Sequence, residues 1–156
     1  MNYLLLVRFL SCTRYDGRSR LTKNYTYYDT KGRAIGTHSI NHLGGYTKTE
    51  SKLDFAGVAQ QVITRHKRLD TDTERVITEN FEYDHQNRLL VHKHQVDSNP
   101  VEILTQNTYN ELSQLESKKV GGVSLGYSLQ QVDYKYNVRV RLMILRILME
   151  IYSDIK

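Results

Sequence analysis

Residues able to do chemistry gather in a few places along this chain. The stretch Phe81–Leu90, FEYDHQNRLL, sets a Tyr, an Asp, a His and an Arg within ten residues. A phenol, a carboxylate, an imidazole and a guanidinium this close could pass a proton or hold a metal. His92 and His94 follow. Residues two apart on a strand share a face, so both imidazoles could reach one zinc or copper ion, with His85 or Glu82 across a hairpin as third ligand. No spacing fixes that third ligand, and polar side chains on an exposed sheet face account for the pair. The run DTDTE at 70–74 opens like a calcium loop, but its sixth place holds Arg75 where Gly is needed and its twelfth Phe81 where Glu is needed. The glycine pairs of HLGG (42–45) and KVGG (119–122) precede strand-like patterns, so they are loops and not phosphate cradles. Ser, His and Asp are abundant, yet no GxSxG nucleophile motif occurs. On this reading there is no catalytic residue, no metal site and no cofactor.

What positions these side chains is a repeat. An aromatic-Asp pair recurs as YDGRSRL from Tyr15, YDTKGRAI from Tyr28, LDFAGVAQ from Leu53, YDHQNRLL from Tyr83, YNELSQLE from Tyr109 and YNVRV from Tyr136. The first residues lie 13, 25, 30, 26 and 27 positions apart. Each place in the frame has a physical role. Tyr28, Tyr83 and their equivalents close an incoming strand. Asp16, Asp29, Asp54, Asp84, Asn110 and Asn137 open a turn, the side chain accepting a hydrogen bond from backbone two residues on. The fifth place, held by Ser19, Gly32, Gly57, Asn87 and Ser113, calls for positive φ, which Gly and Asn tolerate. Arg33, Arg88 and the apolar residue after each start the outgoing strand. His85 falls at a variable place, which removes the strongest reason to think it catalytic.

The flanks alternate as strands do. Ile77, Phe81 and Tyr83 share one face, and Leu90, His92, His94 and Val96 oppose Leu89, Val91, Lys93 and Gln95. Second connectors lie at HLGG, KRLDTDT (67–73), VDSNP (96–100) and GGVSLGYS (121–128). Strand, turn, strand, loop at this period makes a continuous antiparallel meander, an all-β fold. Composition agrees: twelve Tyr with no Trp suits half-buried strands, and a single Pro argues against a disordered linker. The net charge of +5 is scattered, with HKR at 66–68 beside the acids of 70–74 and RVR at 139–141, so no nucleic-acid patch is expected. Cys12 stands alone, which excludes an internal disulfide, and no apolar run reaches membrane-spanning length.

The motif resembles that of the YD-repeat, or Rhs, family. The consensus YDxxGR plus an apolar residue stands intact as YDTKGRAI, and YDHQNRLL and LDFAGVAQ are variants. The likeness runs from Tyr15 to Arg139, and phrases such as NHLGG, EYDHQNRLL and VDYKYNVR look like Rhs-type proteins of Bacteroidetes. The resemblance implies a piece of a β-sheet shell that encloses or presents a C-terminal effector of the polymorphic toxin type, secreted or at the cell surface. Its partners would be further YD repeats of a longer chain or a neighbouring gene product, and an encapsulated toxin domain. The family's release site carries an Asp-Pro element, which this chain lacks, so no catalytic residue is carried over.

Three segments follow: 1–14 as an apolar strand or truncated start rather than a signal peptide, 15–139 as the repeat region, and 140–156 as a departure from the pattern. In the last, Ile144, Ile147, Leu148, Ile151 and Ile155 are spaced three to four apart, which fits a short amphipathic helix, on an out-of-frame tail or as a cap over a sheet edge. The competing functional class is a cell-surface carbohydrate-binding or adhesion module, with Tyr27, Tyr28 and Tyr46 as stacking platforms for glycans.

Overall fold

Strand-forming Tyr, Thr, Val and Ile alternate between breakers at Asp29–Gly32, Asn41–Gly44, Asp54–Gly57 and Asp84–Asn87, and each breaker reverses the chain. The computed structural model describes residues 6–14, 21–136 and 142–149. Over these the chain forms β1 (Leu6–Arg14), β2 (Leu21–Tyr28), β3 (Ala34–Ile40), β4 (Gly44–Leu53), β5 (Ala59–Leu69) and β6 (Arg75–Tyr83). It continues as β7 (Leu89–Val96), β8 (Glu102–Tyr109), β9 (Leu115–Val120), β10 (Gln130–Tyr136) and β11 (Leu142–Met149). The strands are hydrogen-bonded in chain order as one antiparallel meander, and no helix occurs among the described residues.

Of the tail expected as an amphipathic helix, only Leu142–Met149 is described. It is strand β11, with Gln131↔Leu148, Val132↔Ile147 and Asp133↔Arg146 among its register pairs with β10. The sequence LMILRILM is apolar at every place but Arg146, and such a run does not separate a strand from a helix by period. Positions 140, 141 and 150–156 lie outside the described residues, as do Tyr15, Asp16, Ser19 and Asn137.

The chain divides into two units, Met1–Glu79 and Asn80–Lys156. Within the first, the strand registers set cross-strand rows on each face. One face carries the row Tyr25–His38–Lys48–Arg65, flanked by Tyr27–Gly36–Glu50–Ile63 and Lys23–Ile40–Tyr46–Lys67. The other carries Asn24–Ser39–Thr47–His66 and the ladder Thr26–Thr37–Thr49–Thr64. Facing threonines of this kind stabilise a sheet through their methyls and hydroxyls, at roughly 0.2–1 kcal/mol per pair. The turns Asp29–Arg33 and Asp54–Val58 sit at one end of these strands. The turn from Asn41 sits at the other, where Arg14 and Leu21, register partners of β1 and β2, also meet.

In the second unit the rows are Gln106–Lys119–Gln131, Thr105–Val120–Gln130 and Asn107–Lys118–Val132. The connector 121–129 folds back on this face. Gln106 Nε2 donates to Tyr127 O at 3.2 Å, its Oε1 accepts from Gly126 N at 2.8 Å, and Lys119 Nζ donates to Gly126 O at 2.8 Å. Among residues 22–136 Ile103, 4% exposed, is the one buried large apolar side chain. Over these residues hairpin-to-hairpin contact, rather than a central core, carries the cohesion.

The HLGG pair has two separate reasons to be glycine. Gly44 has φ 86°, and a Cβ on Gly45 would lie 2.2 Å from Arg68 O on the neighbouring strand. Gly45→Ala is expected to disrupt β4–β5 pairing and lower stability by about 1–3 kcal/mol in urea denaturation. Gly32→Asn, at a place with open space around it and a left-handed φ of 77° beside the 59° of Asn87, is expected to stay within about 0.5 kcal/mol of the parent.

Candidate functional site

The repeated turn is built from one side chain outward. Asp29 Oδ1 accepts the amides of Lys31 and Arg33, both at 2.9 Å, and Oδ2 accepts Arg33 Nε at 2.7 Å. The backbone closes the same loop, Asp29 N donating to Arg33 O at 2.9 Å and Gly32 N to Asp29 O at 3.0 Å. Asp84 repeats this: Oδ1 accepts Gln86 N at 2.8 Å and Arg88 N at 2.9 Å, and Oδ2 accepts Arg88 Nε at 2.5 Å. Asn110 Oδ1 accepts Leu112 N and Gln114 N, and its amide donates to Gln114 Oε1 at 2.8 Å. Asp54 Oδ1 accepts Val58 N at 2.8 Å. In all four the fifth residue of the frame has positive φ: Gly32 77°, Gly57 95°, Asn87 59° and Ser113 62°.

Asn41 makes the same turn at the opposite end of the strands, its Oδ1 accepting Leu43 N at 2.9 Å and Gly45 N at 3.0 Å. Sequence reasoning reads NHLGG only as a connector. The signal available is the half-period: Asp29, Asn41 and Asp54 stand 12 and 13 residues apart, each with Gly three places on.

The same residues reach the next hairpin. Arg33 donates through its guanidinium to Asp54 O at 3.0 Å and Phe55 O at 3.3 Å, and Lys31 Nζ lies 4.3 Å from the centre of the Phe55 ring. In the second unit Arg88 lies over the Tyr109 ring at 4.7 Å, and Ser113 Oγ donates to Gln86 Oε1 at 2.9 Å. Tyr109 OH donates to Leu89 O at 3.1 Å, joined there by Asn107 Nδ2 at 3.0 Å, and Tyr136 OH donates to Leu115 O at 3.1 Å. At Tyr109 and Tyr136 this gives Tyr an advantage over Phe, which would fill the space without the bond.

Electrostatics follow the hydrogen bonds. At Asp29 the Arg33 amide, with its guanidinium and the Lys31 amide, outweighs desolvation and holds the carboxyl below its ordinary 3.8. At Asp84 desolvation pushes upward, but the Arg88 amide, the Arg88 guanidinium and the Gln86 amide together exceed it and the carboxyl again lies low.

Outside the turns, the residues singled out for metal chemistry are spread apart. His92 stacks on Phe81 with centroids 4.5 Å apart, Glu82 pairs with Lys93, and His85 is exposed in its turn. Asp72 of the DTDTE run caps its own connector, accepting Leu69 N at 3.2 Å. No three His, Cys, Asp or Glu side chains converge as a metal set among the described residues. Of the tyrosines considered for glycans, Tyr27 and Tyr46 line one open basin of about 620 Å³ in the first unit, and Tyr28 does not. Its other lining residues, His38, Lys48, Glu50, Arg65 and Glu74, are absent from the sequence reading, since a spatial row across four strands leaves no local motif.

No known family profile matches this chain, and no curated protein matches it significantly.

Two outcomes are expected. Tyr109→Phe and Tyr136→Phe each lose one hydrogen bond to the preceding hairpin and about 0.5–1.5 kcal/mol of stability by urea denaturation. The second concerns pH. A carboxyl whose folded value is depressed contributes stability that is complete above its unfolded value, near 3.8, and lost as pH falls from there through the folded value. The denaturation midpoint therefore drops below about pH 4, and the double variant Asp29→Asn/Asp84→Asn, which keeps the Oδ1 acceptor as Asn110 does, shows a smaller drop.

Proposed function

We propose that this chain is a structural module of the YD-repeat, or Rhs, type. In that role it supplies a curved stretch of β-sheet to a larger shell that encapsulates or presents an effector, outside the cell or at its surface. The reading is supported first by the inter-hairpin contacts of the turn frame: Tyr109 to Leu89, Tyr136 to Leu115, and Arg33 to the carbonyls of Asp54 and Phe55. A residue frame that both turns its own hairpin and fastens it to the next is a rule for extending a sheet indefinitely. The scarcity of buried apolar side chains is in keeping with it, because a shell wall has two faces and no interior of its own.

The module's work on this reading is geometric and needs no catalytic group. Each Asp or Asn fixes a reversal, Tyr and Arg fix the spacing, and the right-handed twist of neighbouring strands accumulates as curvature. Further repeats would supply strands to β1 and β11, each of which has one described neighbour in the sheet. The natural partners are other YD repeats and an enclosed toxin domain.

The test is to read the genomic locus for frames that continue the repeat, express the continuous product and image it by electron microscopy. A hollow β-shell enclosing a downstream domain is the expected result. A locus without further repeats, combined with a chain that is monomeric and cooperatively folded alone, overturns the reading.

A further inference from the structure

The face of the first unit that carries the Tyr25–His38–Lys48–Arg65 row contains the open basin lined by Tyr27 and Tyr46, and its construction is specific. Gly36 sits between Tyr27 and Glu50 in register, so no side chain stands between these two on β3. A Cβ there would lie 2.8 Å from Thr49 O and 3.6 Å from Tyr27 Cδ2, so the Tyr27 ring lies close against uncovered backbone. His38 stands next along β3, with its ring edge-on to Tyr46 at 5.6 Å and 77°, and with Tyr25 tilted beside it at 6.1 Å. Aromatic surface from Tyr27, His38 and Tyr46 thus lines the basin.

The rim is polar and its charges cancel. Glu50 accepts from Lys48 Nζ at 2.8 Å and from Arg65 at 2.5 Å, and these two cations hold its carboxyl below the ordinary value. Tyr46 OH donates to Glu74 Oε1 at 2.5 Å, and this bond, with desolvation, keeps the phenol protonated well into the alkaline range by raising its pKa. Two carboxylates and two cations border the space. An anion entering it would meet Glu50 and Glu74, and a cation would meet Lys48 and Arg65. A neutral ring bearing hydroxyls meets acceptors and donors alternately around the rim and aromatic surface at the wall.

We propose that this basin is a saccharide-binding site for a neutral pyranose unit, with Tyr27 and Tyr46 as the stacking surfaces and Glu50, Arg65 and Glu74 as hydroxyl partners. The site stands on the first unit's own geometry and does not depend on the shell reading. Other occupied-looking surfaces offer less. The space beneath the 121–129 loop is walled by Ile103, Leu104, Val123 and Leu129 and has few polar groups to orient a ligand.

The test is saturation-transfer NMR on the full chain with maltotriose, cellotriose and chitotriose, followed by titration of the best. At least one is expected to receive saturation at its ring protons. Tyr27→Ala is expected to weaken its binding about tenfold, an aromatic contact of roughly 1.4 kcal/mol. Glu50→Gln, which keeps the side chain's shape and changes only its charge, is expected to weaken binding as well. Tyr127→Ala, at an exposed tyrosine on a loop of the other unit, is the control and leaves binding unchanged. Retained circular dichroism and melting temperature establish that Tyr27→Ala still folds, and Glu50→Gln carries the test if it does not. No saturation transfer from any of the three sugars overturns the proposal. So does binding that survives both basin variants, binding that is lost with Tyr127→Ala, or a salt-sensitive preference for a heparin disaccharide over the neutral sugars.

Discussion

One side-chain oxygen holding two backbone amides is the interaction on which each hairpin rests. In a tight reversal the amides two and four residues past the opener point into the turn, where no strand partner reaches them. Asp29, Asp84 and Asn110 each place Oδ1 between those two amides, and Asn41 does so at the other end of the strands. With that acceptor in place the next residue but two can take positive φ, and the chain leaves along a direction antiparallel to its entry. Without it the amides would need water, and the turn would lose the constraint that sets strand register. Asp and Asn both serve because each supplies the acceptor oxygen, and the Asp charge adds the pairing with Arg33 and Arg88.

The frame performs a second task with residues on either side of the same opener. The Tyr before it and the Arg four after it extend sideways, to carbonyls or rings of the adjoining hairpin. Backbone carbonyls are uniform targets, present whatever the neighbouring sequence, so the lateral contacts survive drift in the variable places. That explains how a frame this loose in sequence can hold a regular sheet. It also explains why Leu53 and Val58, which stand where Tyr and Arg stand in sister copies, are tolerated: Arg33 of the preceding turn reaches the carbonyls of Asp54 and Phe55 from the other side.

Much of this was legible in the residues. The opener, the fifth place and the strand flanks are local, and local rules of turn chemistry read them directly; Asn87 and Ser113 carry positive φ as Gly32 and Gly57 do. Three things were not legible. The Asn41 turn is hidden because its neighbours carry no Tyr or Arg, although its spacing matches. The Leu142–Met149 strand is hidden because a run apolar at every place but Arg146 fits a helix spacing as readily as a strand. The basin is hidden for a different reason: Tyr27, Gly36, Glu50 and Ile63 become neighbours only through three successive registers, each set by a turn. The family likeness rests on the residues of the frame alone.

A sheet held together strand by strand, with Ile103 alone among residues 22–136 as a buried large apolar side chain, has little interior there to melt as a unit. Opening one hairpin releases contacts to its two neighbours and little else. Amide hydrogen exchange in such an architecture is governed by position in the row of strands: protection deepens with distance from an unpaired edge and is not concentrated at one nucleus. Pairing the edge with another strand would then slow exchange in hairpins that the added strand never touches.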